Sequence, residues 1–252
     1  MSSEKVNKVY IEEFINTSLV DVVTSKIRSN IYCGKYMPGQ RLVVREISDE
    51  LGVSHTPVKD ALNRLVAEGY VEAPPRKSMK VKEYSNSEFI NNYEVRLMCE
   101  LFCAEEIMKH AELNSGIVKD MEECQEAMKS VMESFKDFDY ETWVNYETKF
   151  HRRYMQECSN SKVYSIYCSL DSNKQSYFAY LNNNRIPLKI STIQLNFEDH
   201  REIIEAIRAL DAARFSKAVT HHLLRACEEY AVDSDSKKRL QSVQEKAVNL
   251  LK

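Results

Sequence analysis

The second half of the chain contains three histidines and a carboxylate that could bind a divalent transition metal if the fold brings them together. Glu147 precedes His151 by four residues, which places both on one face of a helix about one turn apart. His200 and His222 fall on two further predicted helices. Imidazole and carboxylate ligands suit such ions, and helix bundles commonly hold them in their cores. From spacing alone, ordinary core histidines and a solvated Glu–His pair explain the same residues at least as well.

An open histidine and carboxylate site could also activate water, so a helical-bundle metalloenzyme acting on a small acid is an alternative. The Glu-x-x-x-His spacing matches neither the Glu-x-x-His of di-iron bundles nor the His-Glu-x-x-His of zinc proteases. No obvious general base accompanies it. We therefore expect a binding site and not an enzyme.

A second group of polar residues falls on a predicted helix-turn-helix near the start of the chain. Helical patterns over 44–51 and 56–68 flank Gly52, and a helix over 20–31 precedes them. Two short helices joined by a tight turn containing glycine are typical of DNA-binding domains. Residues 70–81 alternate around a Pro-Pro turn, which predicts a β-hairpin wing.

In such a domain the N-terminal side chains of the second helix face base edges in the major groove. These side chains would be Ser54, His55, Thr56 and Lys59. Basic residues on the preceding helix and in the wing would meet phosphates, which supply most of the sequence-independent affinity. These basic residues are Arg45, Arg76, Lys77 and Lys80. Each could singly be an ordinary solvated charge, and their order along the chain is what favours DNA.

The chain of 252 residues changes character near residue 84. Residues 1–84 contain 13 Lys and Arg against 11 Asp and Glu, a charge of +2, and the remainder contains 22 against 27, a charge of −5. Helical patterns fill the second part at 87–112, 116–135, 140–158, 161–184, 189–209 and 212–231, with a short one at about 237–250. We expect a mainly α protein with an N-terminal winged helix-turn-helix domain, 1–84, and a C-terminal antiparallel all-α bundle of six to seven helices, 85–252.

The cysteines and the lengths of the apolar segments indicate the cellular compartment in which we expect the protein. No apolar run is long enough to span a bilayer and the first residues lack a signal-peptide pattern, so we expect a cytoplasmic protein without a membrane partner. Seven cysteines without a Cys-x-x-Cys pair indicate reduced thiols and no thiolate zinc knuckle. Cys99 and Cys103 share a helical face, a spacing compatible with redox sensing and equally with small core hydrophobes.

The front domain contains an ordered signature. It runs Gly34-x-x-x-Pro38-Gly39-x-x-Leu42, Arg45-Glu46-Ile47-Ser48, Gly52-Val53-Ser54-x-Thr56-Pro57-Val58-Lys59-x-Ala61-Leu62-x-x-Leu65 and Glu68-Gly69. This signature resembles that of the GntR family of bacterial transcription regulators. The resemblance implies DNA contacts at Arg45, His55 and Lys59, where family members usually carry arginines. Lysine lacks the planar fork that reads guanine and a neutral histidine adds no charge, so base preference and salt dependence should depart from the family norm.

The second domain carries matching marks. They are Tyr93-x-x-Arg96-x-x-x-Glu100, Glu147-x-x-Phe150-His151, Asp199-His200-x-x-Ile203-x-x-Ala206-Ile207, and Asp211 followed by His222. They resemble the FCD effector-binding domain of the FadR branch of GntR regulators. The resemblance implies a metal held by Glu147, His151, His200 and His222. Zinc is the first expectation, with nickel, manganese or iron as alternatives.

The same resemblance assigns Arg96 to the pocket as a clamp for an effector carboxylate. An ion pair with Glu100, four residues on, is the alternative for this arginine. Glu147 stands where the family usually has aspartate. Its additional methylene moves the carboxylate outward by about 1.5 Å, so the metal could also be held by the three histidines alone.

We therefore expect a homodimeric, sequence-specific transcription regulator that binds a short inverted repeat in double-stranded DNA. Its DNA affinity would be controlled by a small carboxylate metabolite at a metal-containing pocket. Besides the metalloenzyme, a metal-free regulator that responds to acyl-CoA remains an alternative.

Overall fold

The computed structural model describes residues 18–133, 139–170 and 190–251. The chain divides into two compact units between Glu83 and Tyr84. In the described part of the chain, no helix combines the length and the apolar character needed to cross a bilayer.

The front unit is a winged helix-turn-helix, as expected. Its elements are α1 (Leu19–Tyr32), α2 (Val44–Leu51), α3 (His55–Ala67), β1 (Val71–Glu72) and β2 (Lys80–Val81). Helix α2 ends at Gly52, whose φ of +66° is the left-handed conformation that favours glycine. Ser54 then takes the N-cap position of α3, but its side chain makes no capping hydrogen bond.

The apolar faces of α1 and α3 form the core of this unit. Ile27 on α1 and Val58, Leu62 and Leu65 on α3 have no exposed surface. Because these side chains fix the rotation of α3, its opposite face is held towards solvent. The two strands pair antiparallel, with Glu72 opposite Lys80, and form the wing.

The described part of the second unit contains eight helices. They are α4 (Asn86–Phe102), α5 (Ala104–Leu113), α6 (Gly116–Glu133), α7 (Tyr140–Met155), α8 (Ser161–Leu170), α9 (Ile190–Arg208), α10 (Ala212–Glu228) and α11 (Ser234–Leu250). The mainly helical fold class is confirmed, with one more helix than the six to seven expected. The predicted helix 87–112 is two helices, because ψ of Cys103 is −1° and helical residues have about −42°. Residues 171–184 of the predicted helix 161–184 lie outside the described residues.

Helix packing explains how distant segments come together. Helix α10 packs against α4, α5 and α9, and α6 packs against α7 and α9. Phe150, Ile203, Ile207 and Phe215 are completely buried between these helices. The inward faces of α4, α7, α9 and α10 therefore enclose one region of the core.

Candidate metal centre and nucleic-acid interface

Three histidines from three helices meet in this core. His151 lies on α7, His200 on α9 and His222 on α10, and one ring nitrogen of each lies within 4.8 Å of the others. Their ring centroids are 5.0 Å apart in every pair, and none of the three residues is more than 5% exposed. Segments separated by up to 71 positions in the sequence thus converge on one point.

A hydrogen-bond chain sets the proton position on His151. The hydroxyl of Tyr154 donates to Oε2 of Glu100 at 2.6 Å, and Nδ1 of His151 lies 2.8 Å from the same hydroxyl oxygen. Because the hydroxyl has only one proton, Nδ1–H of His151 must donate to it. The lone pair of His151 is then on Nε2, where a metal would use it.

Asp199 plays the same part for His222. Its Oδ2 lies 3.2 Å from Nδ1 of His222 and accepts from Nε of Arg225 at 2.7 Å. Burial raises the pKa of Asp199, but the hydrogen bond from His222 and the charge of Arg225 outweigh it and hold that pKa at about 2. The carboxylate is therefore ionised, and it favours the Nδ1–H tautomer that leaves Nε2 of His222 for an ion.

Several buried atoms at this point lack hydrogen-bond partners. They are Nε2 of His151, Nδ1 and Nε2 of His200, and Oε1 of Glu147. Buried polar groups are almost always paired, since each orphan costs about 1–3 kcal/mol. Two of the orphans are the nitrogens that a metal would use, so the donor set fits a divalent transition metal.

Glu147 lies beside two of the three imidazoles. Its Oε2 is 3.7 Å from Nε2 of His151 and 3.5 Å from Nε2 of His200. Burial raises the pKa of Glu147 to about 7, against the lowering influence of Arg96 and Arg225. Burial also lowers the pKa of all three histidines, so the imidazoles are neutral, which is the form that binds metals.

Arg96 forms the ion pair that was its alternative assignment. Its Nε donates to Oε1 of Glu100 at 2.7 Å, and both side chains are buried within α4. The guanidinium also lies 5.4 Å and 6.0 Å from the ring centroids of Tyr93 and Tyr167. Arg96 thus stands at the far end of the Glu100–Tyr154 chain that reaches His151.

The predicted base-reading side chains all lie on the surface. Ser54, His55, Thr56 and Lys59 are exposed along the first turns of α3. The side chain of Arg45 is 82% exposed, and its nearest acidic partner is Asp49, 3.9 Å away. The unit therefore presents polar side chains to solvent at the start of α3 and on α2.

The wing presents its basic residues unequally. Arg76 and Lys77 are exposed at the tip, whereas Nζ of Lys80 forms an ion pair of 2.8 Å with Glu72. The tip turn closes with a hydrogen bond from Lys77 N–H to the Pro74 carbonyl at 3.1 Å, and Arg76 has a φ of +60°. This left-handed position is the one that glycine or asparagine fills in most turns of this kind.

Comparison with known proteins assigns both units. Residues 19–81 match the family described as "Bacterial regulatory proteins, gntR family". Residues 91–225 match the FCD domain. The chain belongs to the GntR family of transcription regulators with an FCD effector-binding domain.

Two relatives that match this regulator along most of its length are named as repressors. It is 26% identical over 211 residues to the "Probable D-xylose utilization operon transcriptional repressor" of Paenarthrobacter nicotinovorans, which covers 82% of this chain and 86% of that protein. It is 25% identical over 210 residues to the gluconate operon transcriptional repressor of Bacillus licheniformis, with 83% and 84% covered. The E. coli McbR/YncC structure has the same fold, with a TM-score of 0.61 at 18% identity over 85% of this chain and 97% of that one.

These findings confirm a DNA-binding transcription regulator and a function other than catalysis, which removes the metalloenzyme alternative. Sequence reasoning missed the two residues that orient the histidines. Asp199 stood among the family marks without a role, and Tyr154 was not considered. The position of Tyr154, three residues after His151, was the one available signal, since that spacing lies on the same helical face.

Proposed function

We propose that this regulator holds a divalent transition metal at His151, His200 and His222, and that a small carboxylate metabolite at the ion controls its affinity for DNA. The observation that supports the ion most directly is the convergence of buried, neutral imidazoles whose Nε2 atoms lack hydrogen-bond partners at His151 and His200. Glu147 would complete the ligand set from beside two of the imidazoles.

The ion would supply positive charge and coordination positions for an anionic oxygen. The residues of this chain would orient the ligands and shape the site. Tyr154 and Asp199 hold two imidazoles in the metal-binding tautomer. The core helices bury all three imidazoles. Histidine nitrogens and one carboxylate oxygen suit zinc first, with nickel, manganese and iron as alternatives.

A carboxylate effector follows from the charges around the site. The charge of Arg96 reaches Glu147 and all three histidines, on which it lowers the pKa. An ion together with this buried guanidinium would leave the site positive enough to favour an anion over a neutral ligand. Arg96 can act on such an anion through its field while it keeps the ion pair with Glu100.

On the DNA side, we propose that a homodimer of the regulator binds a short inverted repeat in double-stranded DNA. The base-reading side chains would be Ser54, His55, Thr56 and Lys59. The phosphate contacts would come from Arg45, Arg76 and Lys77, and from Lys80 once it leaves Glu72. Apart from Lys80, these side chains are exposed, which supports the assignment, since phosphate and base contacts need side chains that face solvent in the free protein.

The test begins with elemental analysis of protein purified without chelators or a metal-affinity tag. We expect about one metal ion per chain, lost in His200→Ala and retained in His221→Ala, whose side chain is 70% exposed. Wild-type protein that contains no metal after this purification, yet binds its promoter DNA, would overturn the metal site and favour the acyl-CoA alternative.

Effector control is tested by a mobility-shift assay on DNA from the regulator's own promoter region. Gluconate serves as a probe carboxylate and D-xylose as a neutral sugar. We expect a carboxylate such as gluconate to change DNA affinity only in metal-loaded protein, and D-xylose to have no effect. An equal response to gluconate and D-xylose, or a response in His200→Ala, would contradict the carboxylate assignment.

A further inference from the structure

Two cysteines and a carboxylate meet at a second place in the helical unit. Sγ of Cys103, Sγ of Cys158 and a carboxylate oxygen of Glu106 all lie within 4.8 Å of one another. Cys103 is 1% exposed and Cys158 is 8% exposed. Cys103 lies at the α4–α5 junction and Glu106 at the start of α5, whereas Cys158 lies in the turn that follows α7. None of them belongs to the three-histidine site.

The carboxylate is held in position by the turn that carries Cys158. The backbone N–H of Ser159 donates to Oε2 of Glu106 at 3.0 Å, and this hydrogen bonding to Ser159 lowers the pKa of the Glu106 carboxyl. Glu106 is therefore ionised beside two sulfur atoms. Burial and the neighbouring Cys158 raise the pKa of Cys103, so this sulfur stays protonated until an ion arrives.

We propose that Cys103, Cys158 and Glu106 form a binding site for a thiophilic divalent cation such as zinc, independent of the effector pocket. Tetrahedral zinc has Zn–S distances of about 2.3 Å and Zn–O distances of about 2.0–2.2 Å, which separate sulfur from sulfur by about 3.8 Å and sulfur from oxygen by about 3.6 Å. Because the three ligand atoms lie within 4.8 Å of one another, they need to move by no more than about 1 Å to reach these distances around an ion.

The binding step balances as an exchange of protons for the ion. Each thiol loses its proton to solvent as a metal–sulfur bond forms, and Glu106 binds as the carboxylate. One divalent ion thus replaces two protons, and the overall charge of the site stays at −1. The fourth coordination position is left for water.

The carboxylate distinguishes this site from two simpler explanations. A pair of core cysteines that acts as small hydrophobes gains nothing from an ionised carboxylate next to it. A disulfide needs only the two sulfurs. A cation uses all three groups, because two thiolates and a carboxylate supply three of the four ligands of a tetrahedral zinc ion.

The site would connect helices that also build the three-histidine centre. Its ligands follow α4, which carries Arg96, and α7, which carries His151. A cation bound here would cross-link the C-terminal ends of these two helices. It would therefore stabilise the helical unit whether or not an effector is bound.

The test is a titration of the full-length, reduced protein with Co²⁺, followed by near-ultraviolet absorption. Thiolate-to-cobalt charge transfer marks sulfur ligands, and histidine or carboxylate ligands do not produce it. We expect the band in the wild type, its loss in Cys103→Ser and Cys158→Ser, and its retention in Cys124→Ser, which alters another buried cysteine. His200→Ala should keep the band, because the two sites are independent. Glu106→Gln should weaken cobalt affinity at least tenfold.

Circular dichroism checks that each variant folds. Should a cysteine variant not fold, alkylation of the wild type followed by mass spectrometry gives a second reading, in which Zn²⁺ slows modification of Cys103 and Cys158 but not of the exposed Cys33. Absence of the band in reduced wild type, its persistence in Cys103→Ser, or an unchanged affinity in Glu106→Gln would overturn the proposal.

Discussion

Tyr154→Phe is the sharpest test of the proposed metal centre, because it removes one oxygen and no packing volume of consequence. In the wild type this oxygen accepts from Nδ1–H of His151 and its proton goes to Glu100. Without it, nothing among the described contacts holds the His151 proton on Nδ1. The proton can then move to Nε2, the atom that the ion requires.

The expected loss of metal affinity follows from the loss of the Tyr154 hydroxyl as the hydrogen-bond partner of His151. Removing the outer hydrogen-bond partner of a metal-binding histidine typically costs 10–100-fold in metal affinity, which corresponds to about 1.4–2.7 kcal/mol. The metal-free protein should also lose about 1–3 kcal/mol of stability, since Tyr154, His151 and Glu100 are buried and two of them lose a partner.

Competition with a chromophoric chelator measures the metal affinity, and urea unfolding in chelator measures the stability of the metal-free protein. The matched control is Tyr36→Phe, which removes a phenol that donates to Glu50 at 2.9 Å in the front unit. That variant should lose stability but keep the wild-type metal affinity. A Tyr154→Phe protein that binds the metal within twofold of wild type would refute the assigned tautomer and the role of the hydrogen-bond chain.

Three further predictions concern other contacts. Asp199→Asn should weaken metal binding by about 10–100-fold in the same competition assay, because the amide is a poorer acceptor for Nδ1–H of His222; wild-type affinity would contradict it. Arg76→Gly should relieve about 1 kcal/mol of strain at φ +60° but reduce the slope of log affinity against log salt by about 0.9, as one phosphate contact is lost. The metal-free protein should lose stability as pH falls from 7 to 5.5. Its three buried histidines have lowered pKa values, so below about pH 6.5 the unfolded chain binds protons that the folded chain does not. Each such proton lowers the free energy of unfolding by up to about 1.4 kcal/mol per pH unit. Glu147, with its pKa raised to about 7, offsets one of these protons because the folded chain binds it first. Urea unfolding at the two pH values, with stability unchanged or higher at 5.5, would contradict it.

The front domain was predictable because its signals are local. Gly52 marks the left-handed end of α2, and the apolar spacing of Val58, Leu62 and Leu65 sets the buried face of α3. The Lys80–Glu72 ion pair was not predicted. It depends on the strand register, which places these residues opposite one another, and a Pro-Pro turn does not determine that register.

The helical domain was predictable in outline and not in its site details. Apolar periodicity located the helices, but it did not reveal the interruption at Cys103, which no glycine or proline marks. The approach of Cys158 to Cys103 depends on how two turns pack, and sequence spacing contains no information on that. The ligand assignments at Glu147 and the histidines stay predictions. They came from a resemblance, and the observed convergence of the three imidazoles supports them.

The buried polar groups make the stability of the helical domain depend on what its centre holds. Unpaired atoms of His151, His200 and Glu147 each cost about 1–3 kcal/mol, against a total stability of about 5–15 kcal/mol for a typical domain. A metal ion at a free concentration of 100 times its dissociation constant would raise the free energy of unfolding by about 2.7 kcal/mol through mass action. The helices that supply these ligands, α7, α9 and α10, would then be ordered by the ion before any effector arrives. An effector that binds the ion would act on helices that are already fixed, so that its binding energy is available to favour one DNA-binding state over another.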